Sequence, residues 1–255
     1  MPSTAPDRRW VLPLVLMAFG LAVMGRSWWL ARPRPPPTTA ALTPLPAAAP
    51  TLGAEAPTGR ELHVPRASGA IVVDGDVDEE AWTTAARTGA FVDERGAIAR
   101  PYSDARLLWG DGRLFLTLYA ADEDIRATQK GDDAPLWLDD AFHLSFGRSG
   151  TFRFVDVSPL GQVTDAIALP GLAPEYAWRA EAEVGVEHDG TPNDSLDDDE
   201  EWVVEMAIPL TALGSTATSG QRLDLSAHRC DTPHGGARMC GAFGEDERVV
   251  LVLDP

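Results

Sequence analysis

Short runs of carboxylates are the most obvious source of chemistry in this chain. They lie at residues 74–78, 122–124, 139–140 and 194–201. Calcium binds six to eight oxygen atoms, many of them from carboxylates, so runs of this kind could hold that ion. The first run lacks the glutamate that a calcium loop places at its twelfth position, and Asp76 with Glu79 has the spacing of a helix capping box instead. The last run is typical of a solvated loop.

Catalytic signatures do not occur in the sequence. It has no GxSxG, phosphate-binding loop, HExxH or CxxC motif, and its five histidines lack metal-site spacing. Paired carboxylates can hydrolyse glycosides, but their separation is a spatial quantity that closeness in sequence does not give. We therefore predict that the protein is not an enzyme.

The two cysteines allow two interpretations. Cys230 and Cys240 are the only cysteines, and a glycine-containing loop at residues 233–236 separates them. They could close this loop as a disulfide, which is typical of exported proteins. The alternative is a pair of reduced, buried thiols.

Charge divides the chain into a basic start and an acidic remainder. Of the 255 residues, 44% are hydrophobic, which is enough for a sizeable core. The net charge is −18; residues 1–60 carry +4, from six arginines and two carboxylates, which leaves −22 for the rest. Such a surface repels nucleic acid and anionic lipid, so we predict no nucleic-acid partner. It favours a neutral ligand, a cation or a basic partner.

The start of the chain has the composition of an export signal. An apolar run at residues 10–25 follows Arg8 and Arg9 and continues past Arg26. We predict that residues 1–31 are a signal anchor or a cleaved signal peptide, with a transmembrane segment. The membrane is then one partner, and the predicted localisation is the cell envelope, with a single-pass anchor and the domain on the exported side, or secretion if the signal is cleaved.

A linker separates this segment from the folded body. Residues 32–60 are rich in proline, alanine and threonine, a composition that cannot bury a core and tends to extended polyproline stretches. The folded domain is therefore predicted at residues 61–255.

Short apolar runs separated by glycine, aspartate and proline predict strands throughout this domain. The clearest hairpin joins residues 106–109 to 113–119. Further strands are predicted at residues 141–146, 151–157, 162–168, 178–187, 202–208, 223–228 and 248–253. With one short N-terminal helix, which starts at Asp76 and ends near Arg87, this pattern predicts an all-β fold, an antiparallel β-sandwich of jelly-roll-like form.

Residue parity assigns faces to these strands. Phe142, Leu144 and Phe146 point to the core, whereas His143 points the other way. Four tryptophans at periodic or helix-start positions are interpreted as core residues: Trp82, Trp109, Trp178 and Trp202.

Ordered segments along the whole domain resemble a known family. They are residues 71–82, 105–109, 114–116, 122–125, 136–144, 161 with 165, 201–209, and 228–229. In order and spacing they resemble a family 9 carbohydrate-binding module, within the DOMON-like β-sandwiches. The resemblance implies binding of a polysaccharide or oligosaccharide without cleavage, by a grip of two aromatic rings with polar side chains, and structural calcium.

The resemblance also implies site residues. Trp137 matches one ring, and Phe243 stands where the second ring, a tryptophan, is expected. His143 occupies the position of a glutamate that contacts sugar, and Arg153 on the next strand is a candidate second polar contact. On one straight strand Trp137 and His143 would be about 20 Å apart, so Trp137 is expected on a loop that folds back, which Pro135 favours.

Positions that the family keeps acidic give candidate calcium ligands, namely Asp122, Asp124, Asp139 and Asp140. Two other functions stay open. DOMON-like sandwiches include haem-binding electron-transfer modules, for which His143, His228 or Met239 would supply axial ligands. The sandwich could also be an envelope protein-interaction module that has lost its sugar site, which the substitutions at His143 and Phe243 favour.

Overall fold

Two β-sheets form the domain. The computed structural model describes residues 60–148, 150–234, 236–243 and 249–255. The strands are β1 (Glu61–Val64), β2 (Ala86–Arg87), β3 (Ser103–Gly110), β4 (Arg113–Ala121), β5 (Ala141–Arg148), β6 (Thr151–Val157), β7 (Val163–Ala168), β8 (Glu183–Asp189), β9 (Glu201–Pro209), β10 (Arg222–Asp231), β11 (Met239–Phe243) and β12 (Val249–Leu253). Two 3₁₀ helices, Glu80–Thr84 and Leu136–Leu138, are the helical elements of these residues.

The strand order makes a sandwich, as predicted. The large sheet has seven strands in the order β1-β12-β10-β5-β6-β7, and β11 also pairs with β10; the small sheet has five in the order β2-β3-β4-β9-β8. All neighbours are antiparallel except β1 and β12, which run parallel from the Glu61–Val250 pair to the Val64–Leu253 pair. The predicted hairpin is β3 and β4.

The predicted cell-envelope localisation by a membrane anchor is corrected. Within the described residues, no helix is long and apolar enough to cross a membrane, because each helix is a single short turn. The predicted anchor at residues 1–31, like the linker up to residue 59, lies outside the described residues.

The core lies between the two sheets, and parity predicted its members correctly. Phe142, Leu144 and Phe146 on β5 are buried there, opposite Trp202 and Met206 on β9. Alternating positions of each strand face inward, so apolar side chains from both sheets meet in one layer.

The segment 71–82 covers the outside of the small sheet. Its turn brings Gly75 (φ +100°) against Gly185 of β8; a Cβ on Gly75 would lie 2.6 Å from the Val186 carbonyl carbon, so only glycine fits. The helix that follows is shorter than predicted and is 3₁₀. The predicted capping box is wrong, because the Glu79 carboxylate accepts a hydrogen bond from the Val72 amide (2.8 Å) and caps no helix.

Glu205 of β9 holds this segment in place. Its carboxylate, fully buried, accepts hydrogen bonds from the amides of Asp74 (3.1 Å) and Gly75 (3.3 Å) and from Trp82 Nε1 (2.9 Å). Trp82 packs with Ala81, Leu108, Phe115 and Ala207 in a second apolar cluster. Trp82 is thus a core residue, as predicted. Glu205 fixes the segment both at its turn, through Asp74 and Gly75, and at its helix, through Trp82.

Replacement of Glu205 tests this role. Glu205→Ala leaves three buried N–H donors without an acceptor, at about 1–3 kcal/mol for each unpaired group before any relaxation, so we expect the free energy of unfolding to fall by about 3 kcal/mol or more. Urea unfolding followed by tryptophan fluorescence measures it. Glu205→Gln keeps one acceptor oxygen and should lose less. An alanine variant within about 0.5 kcal/mol of the wild type would contradict this role.

Candidate functional site

One continuous row of residues crosses the outer face of the large sheet, the face turned away from the core. Strand register places Thr164, Asp156, His143, His228 and Ala242 side by side on β7, β6, β5, β10 and β11. The His143 Nδ1 atom lies 3.2 Å from the Asp156 Oδ1 atom, and both side chains are partly exposed. Hydrogen-bonding groups are therefore collected along one line on this face.

An apolar surface lies beside this row. Phe152 and Phe154 occupy the same face of β6 as Asp156, four and two residues before it. Their rings are stacked, with centroids 6.5 Å apart and planes 26° apart, and both are half-buried. Ser145 and Ser226 face them from β5 and β10. The outer face thus combines ring surface with polar side chains.

Trp137 lies at the end of the row on a folded loop, as Pro135 led us to expect. We call residues 134–138 the Trp137 loop. Leu136 is buried against Ala141, whose side chain is on the outer face, and the Thr164 hydroxyl donates to the Ala134 carbonyl (2.5 Å). The Trp137 side chain itself stays 44% exposed. The loop therefore lies over one end of the outer face and leaves an indole accessible.

Asp139 anchors this loop to the preceding one. Its carboxylate accepts hydrogen bonds from the amide and hydroxyl of Thr128 and from the amide of Gln129. Both carboxylate oxygens are engaged in these bonds. Asp139 thus positions the loop and is committed to it.

A buried acidic cluster lies behind the loop, inside the sandwich. Carboxylate oxygens of Asp122, Asp140 and Asp231 lie within 4.8 Å of one another. Arg229, 2% exposed, donates through Nη2 to Asp122 (2.7 Å) and Asp231 (2.9 Å), and Trp202 Nε1 donates to Asp122 (3.0 Å). The cluster therefore contains three carboxylates and one guanidinium, which contacts two of them.

The excess of buried carboxylates over positive charge raises the pKa values of two aspartates in the cluster. Burial, and then the Asp122 carboxylate, raises the pKa of Asp140 to about 8. Burial raises the pKa of Asp231 to about 7, although the Arg229 charge lowers it. The Asp231 Oδ2 atom is buried and has no hydrogen-bond partner. The cluster therefore holds protons at a pH where exposed carboxylates do not.

The predicted metal ligands are only partly brought together. Asp122 and Asp140 meet in the cluster, and Asp231 joins them from β10. Asp139 is committed to the loop, and the Asp124 carboxylate lies 3.4 Å from His234 Nδ1. Sequence reasoning missed Asp231, although its two-residue spacing from Arg229 on one strand was a signal that both face the same side.

Two predicted sugar contacts lie elsewhere. Phe243 is in the core, 6% exposed and stacked on Phe91 with ring centroids 6.3 Å apart, so it offers no ring surface to a ligand. Arg153 pairs with Phe146 across β5 and β6 and therefore points inward, opposite to His143. A Cβ on Gly214 would lie 2.7 Å from its Nη2 atom, and burial lowers the pKa of Arg153.

The candidate haem ligands do not face one another. His143 and His228 are cross-strand neighbours that project from the same face. Met239 lies at the start of β11, opposite Asp231, and is exposed. Paired axial ligands approach a haem from opposite sides of its plane, which side-by-side residues on one sheet do not provide.

The structure joins Cys230 and Cys240 in a disulfide between β10 and β11, at Cα atoms 4.2 Å apart. Cys230 is paired with Ala141 on the outer face, beside the Trp137 loop. The bond therefore links β10, which carries His228, to β11, which carries Ala242.

Comparison with known proteins shows a shared fold. No protein-family model and no curated protein matches the chain. A structure from Bacteroides uniformis ATCC 8492, provisionally described as a carbohydrate-binding protein, is similar with a TM-score of 0.63 at 13% identity, over 77% of this chain and 100% of that one. A family 9 carbohydrate-binding module from Caldicellulosiruptor kristjanssonii in complex with cellotriose has a TM-score of 0.53 at 12% identity, over 76% and 94% of the two chains. A second family 9 module from the same organism, in complex with glucose, has a TM-score of 0.51 at 12% identity, over 75% of this chain and 95% of that one.

The pKa values of the cluster predict how stability changes with pH. Folded Asp140 and Asp231 keep protons up to about pH 8 and 7, whereas unfolded aspartates lose theirs near pH 4. The folded state therefore binds more protons between these values, and the free energy of unfolding should fall as pH rises from about 5 to 8 in EDTA-containing buffer.

Asp140→Asn should flatten this slope by up to about 1.4 kcal/mol per pH unit, measured by urea unfolding at each pH. Asp78→Asn, at an exposed position, is the control and should leave the slope unchanged. Equal slopes in the wild type and Asp140→Asn would contradict the assignment.

Proposed function

We propose that this domain binds carbohydrate without cleaving it, on the outer face of the large sheet. The observation that carries the proposal is the exposed Trp137 indole, on a loop whose Leu136 is buried against Ala141, beside a row that includes Thr164, Asp156, His143 and His228. The likeness in fold to family 9 modules in complex with cellotriose and with glucose supports it.

The chemistry of sugars matches these groups. A pyranose presents C–H groups on its faces that stack on an aromatic ring, while its hydroxyls need hydrogen-bond partners to replace water. Asp156 provides a carboxylate directly beside His143, at side-chain exposures of 15% and 21%. The carboxylate that the resemblance expects at position 143 is thus supplied from the neighbouring strand.

The second ring surface is assigned to the Phe152–Phe154 pair, because Phe243 is in the core. The rings lie on the same face as His143 and Asp156. In this arrangement sugar rings contact Trp137 at the end of the row and the phenylalanines beside it. The row from Thr164 to Ala242 holds one carboxylate, whereas glycoside hydrolysis uses two on either side of the scissile bond, so the proposed binding is non-catalytic.

Trp137→Ala tests the binding face. We expect the variant to lose at least about tenfold in affinity, because ring stacking contributes about 1 kcal/mol or more beyond the area that it buries. Affinity electrophoresis in gels with plant and bacterial polysaccharides measures retention, and isothermal titration gives the affinity. Tyr102→Ala, a 39% exposed ring at the start of β3 in the small sheet, is the matched control and should bind normally.

A wild-type domain that no polysaccharide of a broad panel retains would overturn the carbohydrate proposal. Equal loss in the Trp137 and Tyr102 variants would overturn the assignment of the binding face, because Trp137 lies on a loop at the large sheet, whereas Tyr102 directly precedes β3 of the small sheet.

We also propose that calcium binds at the buried acidic cluster, with Asp122, Asp140 and Asp231 as ligands. The unpartnered Asp231 Oδ2 atom and the excess of carboxylates over Arg229 support this assignment. Because Arg229 already contacts two of the three carboxylates, the ion has to displace the protons on Asp140 and Asp231.

Calcium should therefore stabilise the domain at pH 8 more than at pH 5.5. A ligand at 100 times its dissociation constant adds about 2.7 kcal/mol, and about 1 kcal/mol raises the unfolding temperature of a domain of this size by about 2–4 °C. Thermal unfolding with calcium and with EDTA measures the shift, and Asp231→Asn should abolish it. An identical unfolding temperature in calcium and in EDTA at pH 8 would contradict the calcium site. The negative charge of the three aspartates would then be balanced by Arg229 and bound protons alone.

A further inference from the structure

A cleft beside the Trp137 loop is lined by three arginines. Its volume is about 690 Å³, and Arg95, Arg100 and Arg238 line it together with Ile98 and Met239. All five side chains are exposed. We call this the arginine cleft. Positive charge is thus concentrated at one place on a domain whose net charge is strongly negative.

The three arginines, Arg95, Arg100 and Arg238, form no ion pair with the residues that the structure describes. Asp93 and Glu94 also line the cleft, but the Asp93 carboxylate accepts hydrogen bonds from backbone amides of its own turn. The guanidinium groups of the lining therefore outnumber its carboxylates.

The cleft continues the outer face described above. Arg238 Nη1 donates to the Asp139 carbonyl (3.1 Å), two residues after Trp137. Cys240, in the cleft, is joined through Cys230 to Ala141, two strand spacings or about 10 Å away. Val92 pairs with both Ala242 and Ile98, which extends the row into the cleft. One extended ligand can therefore contact Trp137 and the arginines together.

We propose that the arginine cleft receives the anionic substituent, a carboxylate or a sulfate, of an acidic saccharide whose neighbouring ring lies on Trp137. This proposal rests on the proposed function and specifies its ligand. Guanidinium groups bind such anions through two parallel hydrogen bonds, and the apolar Ile98 and Met239 side chains suit the carbon skeleton of the ring. At physiological salt, screening over about 8 Å weakens the repulsion from carboxylates outside the cleft, so the three arginines have to outweigh mainly Asp93 and Glu94 of the lining.

Paired oligosaccharides test the proposal with the full chain. One pair is xylotetraose with and without a glucuronate branch, and the other is galactotriose with and without a sulfate; isothermal titration at 0.15 M salt gives each affinity. We expect the wild type to bind one acidic member at least about fivefold more tightly than its neutral partner. A preference within the xylotetraose pair indicates a carboxylate ligand, and a preference within the galactotriose pair indicates a sulfate.

The variant Arg95→Gln/Arg100→Gln should lose this preference and keep its affinity for the neutral members. The urea midpoint verifies folding. Arg87→Gln, at an exposed arginine of the small sheet, is the matched control.

Each outcome decides between the two proposals. Equal binding of acidic and neutral members, or a preference that survives in the double variant, overturns the anionic ligand and leaves the carbohydrate proposal standing. Binding of acidic members that depends on Arg95 and Arg100 but not on Trp137 supports the cleft and overturns the stacking face. An absence of binding by all four oligosaccharides overturns the anionic ligand, whereas the carbohydrate proposal is decided separately by the polysaccharide panel.

Discussion

A carboxylate that leaves water must be given hydrogen-bond donors or a proton, because an isolated buried charge is too costly to keep. This requirement shapes the loops of the domain. Glu205 takes three donors from the segment outside the small sheet, and Asp139 takes its donors from the loop before Trp137. Asp199 accepts from the amides of Thr191 and Ile125 (2.6 and 2.7 Å). Apolar packing holds the sheets together, and buried carboxylates fix the chain between strands.

The two faces of β5 and β10 have different surroundings. Residues at alternate positions point to opposite sides of a sheet, so Asp140 and Arg229 enter the interior network while His143 and His228 form the outer row. The Trp137 loop rests on the end of these strands. Its indole is 44% exposed, whereas the side chain of Leu136, the preceding residue, is buried against Ala141.

Parity within a strand could be predicted, but the pairing between strands could not. The inward side of β5 followed from its own alternation. On β6 both faces carry apolar residues, and only the register with β5 shows that Val155 and Val157 face the core while Phe152 and Phe154 face outward. Arg153 was placed on the wrong face for this reason.

Other differences also reflect long-range partners. The capping box at Asp76 failed because Glu79 bonds to Val72 instead, and Asp199 is buried within a run that its composition marks as solvated. Asp231 lies about ninety residues from Asp140 and meets it because β10 pairs with β5. Residue type gives the chemistry of such groups, while their neighbours are fixed by topology.

The parallel pairing of β1 with β12 has a mechanical consequence. The first and last strands of the domain lie side by side and run in the same direction, from the Glu61–Val250 pair to the Val64–Leu253 pair. A force that pulls residue 60 away from Pro255 therefore loads these strands in shear, and their hydrogen bonds share the load instead of opening one after another. This geometry lets the domain resist tension applied between residue 60 and Pro255.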